Sequence, residues 1–512
     1  MFTLLQSIAL VAVVWASWRL VWGFFTKSDL ANIPGPPSGS FLKGNFGQLY
    51  NIHGFDFHTK IAEQFGRVIS IFGPFSSRQL YIYDPKAVHH ILVKDQYVFE
   101  ETTAFLASNG IVFGDGLLAS LGERHRKQRK LLNPVFSVAH MRGMVPIFED
   151  IAHKLKDAMQ LQVERGAPEV DVLYWMTRAA LEMIGQCGLG YSFDPLTEDA
   201  VPHPFSKAAK ELVPVLFKFE FMREFVLPSL VKIGSPAFRK RAVDWLSGRW
   251  RNLRDLRELV NTMDDTTTYI YEERKRKLDT GAEEKGEAPA KDILSILMRA
   301  NREAAVEDRL PEKEVMGQLS TFIFAGTDTT SNAFARIISL LGSNPDAQEK
   351  LRKEILEARE LHGGEIPYDS LVALPYMDAV LRETMRLYPP VSTVIRTTRQ
   401  DIALPLSSPV RGLDGRDMNS IFVPNGTNIV VSIMCANQDP LLWGPDAPEW
   451  KPERWLKPLP QALIDARLPG FRFGESGKKI LWEMGGIVTP SIEGAPGKPT
   501  LPVKIELLGK KA

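Results

Sequence analysis

The sequence predicts a mainly α-helical protein with small β-sheets, an α+β architecture. Two patterns carry that expectation. Long amphipathic stretches run from Arg124 through Leu278 and again from Asp292 to Glu360, whereas β-branched and aromatic runs are short and stay near the two flanks. A third observation is compositional: 44% hydrophobic and 24% charged residues suit a well-buried globular chain and exclude disorder. At 512 residues the chain fits either two domains or one large body. Its formal net charge of +1 argues against nucleic acid as a partner. Two cysteines far apart, Cys187 and Cys435, suit a reducing compartment and exclude a disulfide scaffold.

The elements follow in order. From Phe2 to Trp18 the chain is almost wholly apolar, and extended to Phe25 it approaches the roughly 20 residues that span a bilayer. No basic residue precedes the run, which weakens a cleavable signal, and Arg19, Lys27 and Lys43 follow it, which puts the body in the cytosol. Residues 1–25 are therefore expected to form a membrane anchor and 26–40 a proline-rich hinge. Within the hinge, IPGPPSGS (Ile33 to Ser40) cannot continue a helix and predicts a short, stiff turn. The remainder, 41–512, is expected to form one body. Arg67 to Phe72 and Gln79 to Tyr83, separated by GPFSS, predict a hairpin. The polar stretch Asp279 to Lys291 predicts a surface loop. Short strands are expected at Ile421 to Val423, at Asn428 to Ile433, and as a C-terminal pair around Ile487 and Val503 to Leu508.

Three helical segments carry unusual chemistry. Val315 to Gly342 is a continuous apolar helical pattern about 42 Å long at roughly 1.5 Å per residue. Its centre reads AGTDTTS (Ala325 to Ser331), where glycine and threonine are poor helix formers. The plain alternative is a solvent-facing polar patch. In Leu374 to Leu387, stopped by Pro389 and Pro390, Glu383 and Arg386 share one face. An exposed pair contributes only tenths of a kcal/mol. Its neighbours Tyr376, Val380, Leu381 and Leu387 instead predict burial, and a buried pair needs further hydrogen bonds. Finally, Arg124 to Lys130 (RHRKQRK) holds five basic residues in seven, by default a solvated helix face.

Together AGTDTTS, the Glu383/Arg386 helix and PERW (Pro452 to Trp455) resemble the cytochrome P-450 family of heme-thiolate monooxygenases, in the membrane-bound and possibly fungal type. The resemblance implies heme as cofactor, an NADPH-dependent flavoprotein reductase as partner, a small apolar substrate, and an endoplasmic reticulum membrane location with the body facing the cytosol. It implies roles as well: Asp328 relays protons, Thr329 hydrogen-bonds the oxygen intermediate, and Ala325 and Gly326 leave room for dioxygen. His125 and Arg129 match heme-contacting positions, Arg396 matches a second propionate ligand, and Arg454 completes a structural cluster with Glu383 and Arg386. Positive charge left over in Arg124 to Lys130 could dock an acidic electron donor.

One expected feature is missing. The family's glycine-rich loop with its iron-binding cysteine, and the heme-facing helix after it, belong between the run Trp455 to Gly470 and the run Phe471 to Pro490. No cysteine follows Cys435 and no histidine follows His362, so no metal ligand is assigned. Both existing cysteines read as small buried hydrophobes. Three readings stay open: an active enzyme, a non-enzymatic apolar-ligand or membrane-scaffold protein, and a mis-spliced or misassembled chain. The block-like form of the gap favours the last over gradual decay.

Overall fold

The computed structural model describes residues 29–50, 54–280, 292–466 and 501–503. Residues 1–25, the end of the 279–291 loop, and the expected strands at Ile487 and beyond Val503 lie outside the described residues or largely so. Among the described residues the strands are β1 (Val68–Phe72), β2 (Arg78–Ile82), β3 (Phe99–Glu100), β4 (Val170–Asp171), β5 (Thr393–Thr398), β6 (Ile402–Arg411), β7 (Asp417–Val423), β8 (Asn428–Ser432) and β9 (Pro502–Val503). The longer helices are α1 (Phe55–Phe65), α2 (Thr103–Val112), α3 (Gly122–Leu132), α4 (Val138–Glu164), α5 (Val172–Ile184) and α6 (Pro204–Phe217). They continue with α7 (Pro236–Ser247), α8 (Arg251–Asp279), α9 (Ile293–Glu303), α10 (Glu312–Ser343), α11 (Pro345–Leu361) and α12 (Pro375–Leu387). The expected α+β architecture is present.

The described residues fall into two compact units, one within residues 1–100, 393–443 and 461–472, the other within 101–392, 444–460 and 473–512. The first is organised by a five-stranded sheet in the order β1-β2-β8-β5-β3. β1 and β2 form the expected antiparallel hairpin, with Val68 opposite Ile82, and β2 continues in parallel onto β8. The β-branched runs of β1, β2 and β8 are buried almost throughout, as strands packed on both faces must be. The hinge docks onto this sheet: the Ser70 amide donates to the Pro34 carbonyl at 2.8 Å. A Cβ on Gly35 would stand 1.8 Å from the Ser70 carbonyl oxygen, so only glycine allows that approach. β6 and β7 pair antiparallel as a separate ribbon. The strand expected to run to Ile433 stops at Ser432, whose hydroxyl accepts from the Cys435 amide and caps a short helix, Ile433–Asn437. Cys435 is thus helical, not the end of a strand.

The second unit is helical. α10 runs from Glu312 to Ser343, longer than its apolar pattern because Pro311 and the acidic first turn start it early. It packs most extensively on α5, and α8 packs on α6. A large apolar cluster joins these helices, including Leu181, Phe205, Leu212, Met263, Leu297, Leu319, Ile323 and Phe324. The short strand β9 pairs with β4, Val503 opposite Val170.

Candidate functional site

The middle of α10 is buried, not a solvent-facing patch. Thr327, Asp328, Ser331 and Asn332 are all buried, with Asp328 only 2% exposed. Each hydroxyl is satisfied within the helix: Thr327 donates to the Ile323 carbonyl and Thr329 to the Ala325 carbonyl, both at 2.7 Å. Such back-bonding lets threonine sit inside a helix without an orphaned hydroxyl. The Asp328 carboxylate meets a cation that local sequence reading did not supply. The Lys210 ammonium on α6 donates to Asp328 Oδ1 at 2.8 Å, to Ser331 Oγ at 2.7 Å and to Asn332 Oδ1 at 3.2 Å. Burial pulls the lysine's pKa down while the aspartate pulls it back up. The only signal for this partner was the carboxylate itself, since a charge inside an apolar helix demands compensation. Which lysine provides it depends on the packing of α6.

Gly326 faces Ile184 at the end of α5, where a Cβ would come within 3.1 Å of Ile184 Cγ1. Its lack of a side chain thus has a packing reason independent of any ligand. Further up α10, Gly317 crosses Gly116 backbone to backbone; a Cβ on Gly317 would lie 2.4 Å from the Gly116 nitrogen. Beside that crossing the Leu117 amide donates to Gln318 Oε1 at 3.1 Å. About two turns further along α10 the Phe113 and Phe324 rings pack 4.9 Å apart within the apolar core.

The predicted Glu383, Arg386 and Arg454 cluster is assembled. Arg386 grips Glu383 through two bonds of 2.8 Å, both side chains fully buried, and also donates to the Ala447 and Glu449 carbonyls at 2.6 and 3.0 Å. Glu383 further accepts from the Lys451 amide at 2.9 Å, the Trp455 indole at 3.0 Å and Arg454 Nε at 3.4 Å. Arg454 makes its closer contacts with Asp446, at 2.8 Å to the carboxylate and 2.8 Å to the carbonyl. These bonds hold the Asp446 carboxyl at about 2, with Arg454 the largest cause and Lys451 the next. Asp446 and Trp455 were not anticipated, because their roles depend on how the 444–456 segment folds back across α12.

The basic run forms α3. Arg124 pairs with Glu314 at 2.9 Å, and the buried Gln128 donates to Glu314 Oε2 at 2.6 Å, tying α3 to the start of α10. Lys127 donates to the Glu307 carbonyl. Part of the positive charge offered for docking is therefore spent inside the unit, leaving Arg126 and Lys130 exposed. His125 and Arg129 are half-buried on the same helix. Arg396, on β5 of the first unit, is buried and donates to the Ile395 carbonyl at 3.0 Å.

A long helix with Asp328 buried at its centre, and a second locked by a Glu–Arg–Arg cluster, are the features on which the sequence resemblance to heme-thiolate monooxygenases rests. The sequence pattern of the family described as Cytochrome P450 matches residues 34–465. Cytochrome P450 monooxygenase 91 of Postia placenta is 46% identical over 544 aligned positions covering 99% of both chains. Cytochrome P450 monooxygenase 219 of the same fungus is 40% identical over 546 positions, again 99% of both. The ganoderic acid synthetase of Ganoderma lucidum is 40% identical over 475 positions, 91% of this chain and 86% of that one. The chain belongs to the cytochrome P450 family, whose members bind heme.

The chain's own sulfur atoms do not fit the iron of that cofactor. Cys187 lies among Val135, Met144 and Ile293, and burial pushes its thiol up to about 12. Cys435 Sγ lies 3.2 Å from the Tyr81 hydroxyl, which is itself 2.8 Å from His58 Nδ1; burial raises this thiol too. A thiolate needs an electropositive, accessible setting, and neither cysteine has one. Among the described residues no group of three His, Cys, Asp or Glu side chains could hold a metal ion.

Proposed function

We propose that the lineage of this chain is a heme-dependent monooxygenase that inserts one oxygen atom from dioxygen into an apolar organic substrate. Its electrons come from an NADPH-dependent flavoprotein reductase. The observation that carries this reading is the buried Asp328 with the half-buried Thr329 beside it in mid-helix, one turn beyond Phe324 of the Phe113–Phe324 pair. Heme, when bound through a thiolate, supplies the oxygen-activating chemistry. The protein's part is then to hold protons and exclude water. Asp328 is the proton-carrying group, held in position by Lys210, and the Thr329 hydroxyl is the next group toward the substrate side. Thr329 must exchange its bond to the Ala325 carbonyl to do this. Arg129 and Arg396 are the cationic groups suited to heme propionates, with His125 beside Arg129. The apolar substrate class rests on the family resemblance alone.

We place the protein at the endoplasmic reticulum membrane through residues 1–25, body to the cytosol, on the residue pattern alone. Among the described residues no helix is long and apolar enough to cross a membrane. Turnover with reductase, NADPH and oxygen-18 gas tests the reaction: products should gain one labelled oxygen atom. Label arriving from water instead refutes it. The chemistry of Cys187 and Cys435 favours a second reading for this particular chain, in which no thiolate-ligated heme forms.

A further inference from the structure

We infer that an internal segment of at least about 32 residues, carrying the iron's sulfur ligand, is missing from this chain between Gly470 and Phe471, and that the chain as written does not bind iron through sulfur. The inference rests on the monooxygenase reading of the family, but not on turnover.

The first support is arithmetic. Alignment with the 46% identical relative runs over 544 positions, and this chain has 512 residues, so at least 32 positions of the relative face no residue here. The 40% identical monooxygenase, at 546 positions, leaves at least 34. Because 99% of both chains takes part in each alignment, the deficit is internal and not at an end. The two alignments thus carry similar minimum totals of unmatched positions, 32 and 34. About 32 residues suffice for a loop and a helix of roughly 20 residues, about 30 Å long.

Sulfur chemistry supplies the second support. Cys187 is enclosed by Val135, Met144 and Ile293, and Cys435 is engaged by the Tyr81 hydroxyl, so neither is available to replace a lost ligand. The third lies on α10. Its Asp328 side is sealed, whereas Ala325, Gly326, Thr329, Thr330 and Ala333 form a half-open stripe that continues into Phe334, 38% exposed. Leu381 on α12 and Tyr388 just beyond it are similarly open, at 36% and 38%. Central helices of a body this large normally bury such residues on all sides. The occupant to which these observations commit the stripe is the missing segment together with the cofactor that it would hold.

Two full-length proteins test the inference: the chain as written, and a version in which the relative's unmatched residues are grafted between Gly470 and Phe471. Both are expressed with heme supplementation, checked for helix content by circular dichroism, and examined reduced under carbon monoxide. The expected result is a thiolate-type Soret band in the grafted protein and its loss in the chain as written. A thiolate-type band in both proteins, abolished in the chain as written by Cys435→Ser or Cys187→Ser, overturns the inference and leaves the monooxygenase reading standing. A band in neither, with helix content intact, overturns the assignment of the ligand to the segment and the monooxygenase reading with it. A readout independent of folding is genomic DNA across the junction, expected to hold an in-frame stretch encoding at least 32 residues with a cysteine. Codons for Gly470 and Phe471 joined directly in the genome would overturn the excision.

Discussion

Glu383→Gln offers the sharpest measure of how the second unit is held together. The carboxylate is fully buried and takes two bonds from Arg386, one from the Lys451 amide, one from the Trp455 indole and one from Arg454. An amide of the same shape keeps one acceptor oxygen but turns the other into a donor facing donors. It also leaves the Arg386 guanidinium, fully buried, without a counter-charge. Breaking a buried pair from one side costs about 3–5 kcal/mol. Against a total stability of roughly 5–15 kcal/mol, that is about a fifth of the fold or more. At about 1 °C per kcal/mol for a body of 512 residues, the melting temperature should fall by about 3–5 °C. Thermal unfolding followed by far-ultraviolet circular dichroism reads this directly. Arg454→Lys is the control: the Arg386 grip survives, and only the weaker 3.4 Å contact and the Asp446 pairing are altered, so the loss should be about 1 kcal/mol. If Glu383→Gln melts within a degree of the parent, the cluster is not a structural lock.

Further outcomes follow from other parts of the molecule. Lys210→Met should cost about 3–5 kcal/mol by stranding Asp328, and Asp328→Asn in the same chain should recover most of it; urea denaturation of the single and double variants checks the coupling. The folded pKa of Asp446 is depressed from 3.8 to about 2, so its contribution is complete above the ordinary value and is lost as pH falls through that window. Urea midpoints for the parent and Asp446→Asn should therefore differ at neutral pH and converge as pH approaches about 2. Gly35→Ala should destabilise the first unit by about 1–3 kcal/mol, because its Cβ would meet the Ser70 carbonyl oxygen at 1.8 Å; hydrogen exchange of β1 amides reports it. Native protein should release no thiol to an aromatic disulfide reagent at neutral pH, and unfolded protein should release both cysteines.

Helices with strong periodicity were legible to within a few residues, as α10 and α12 show, because their apolar stripes and proline stops are local signals. The β1–β2 hairpin was legible for the same reason. β5 and β6 were not: Arg396 interrupts the alternation of one, and Pro405 and Pro409 that of the other, so only cross-strand partners reveal them. The Glu383–Arg386 pair could be anticipated from spacing, and its burial from its neighbours. Lys210 and Trp455 could not, since each reaches its partner across a long sequence interval, 118 and 72 residues; Asp446 lies only 8 residues from Arg454, but their pairing depends on how the 444–456 segment folds. The reading of Gly326 as space for a small gas molecule was incomplete, because Ile184 packs against that glycine.

The backbone crossing of Gly116 and Gly317 has a consequence for how such proteins can change. Any side chain at either position forces the two chains apart, so neither glycine can be relieved by altering the other. The Leu117–Gln318 bond beside them fixes the same register. The loop ahead of α3 and the first half of α10 thus behave as one inherited cassette. A recombinant that takes the loop from one relative and the helix from another preserves its fold only where both parents keep the paired glycines. Diversity in what the protein accommodates has to come from residues flanking that crossing, never from the crossing itself.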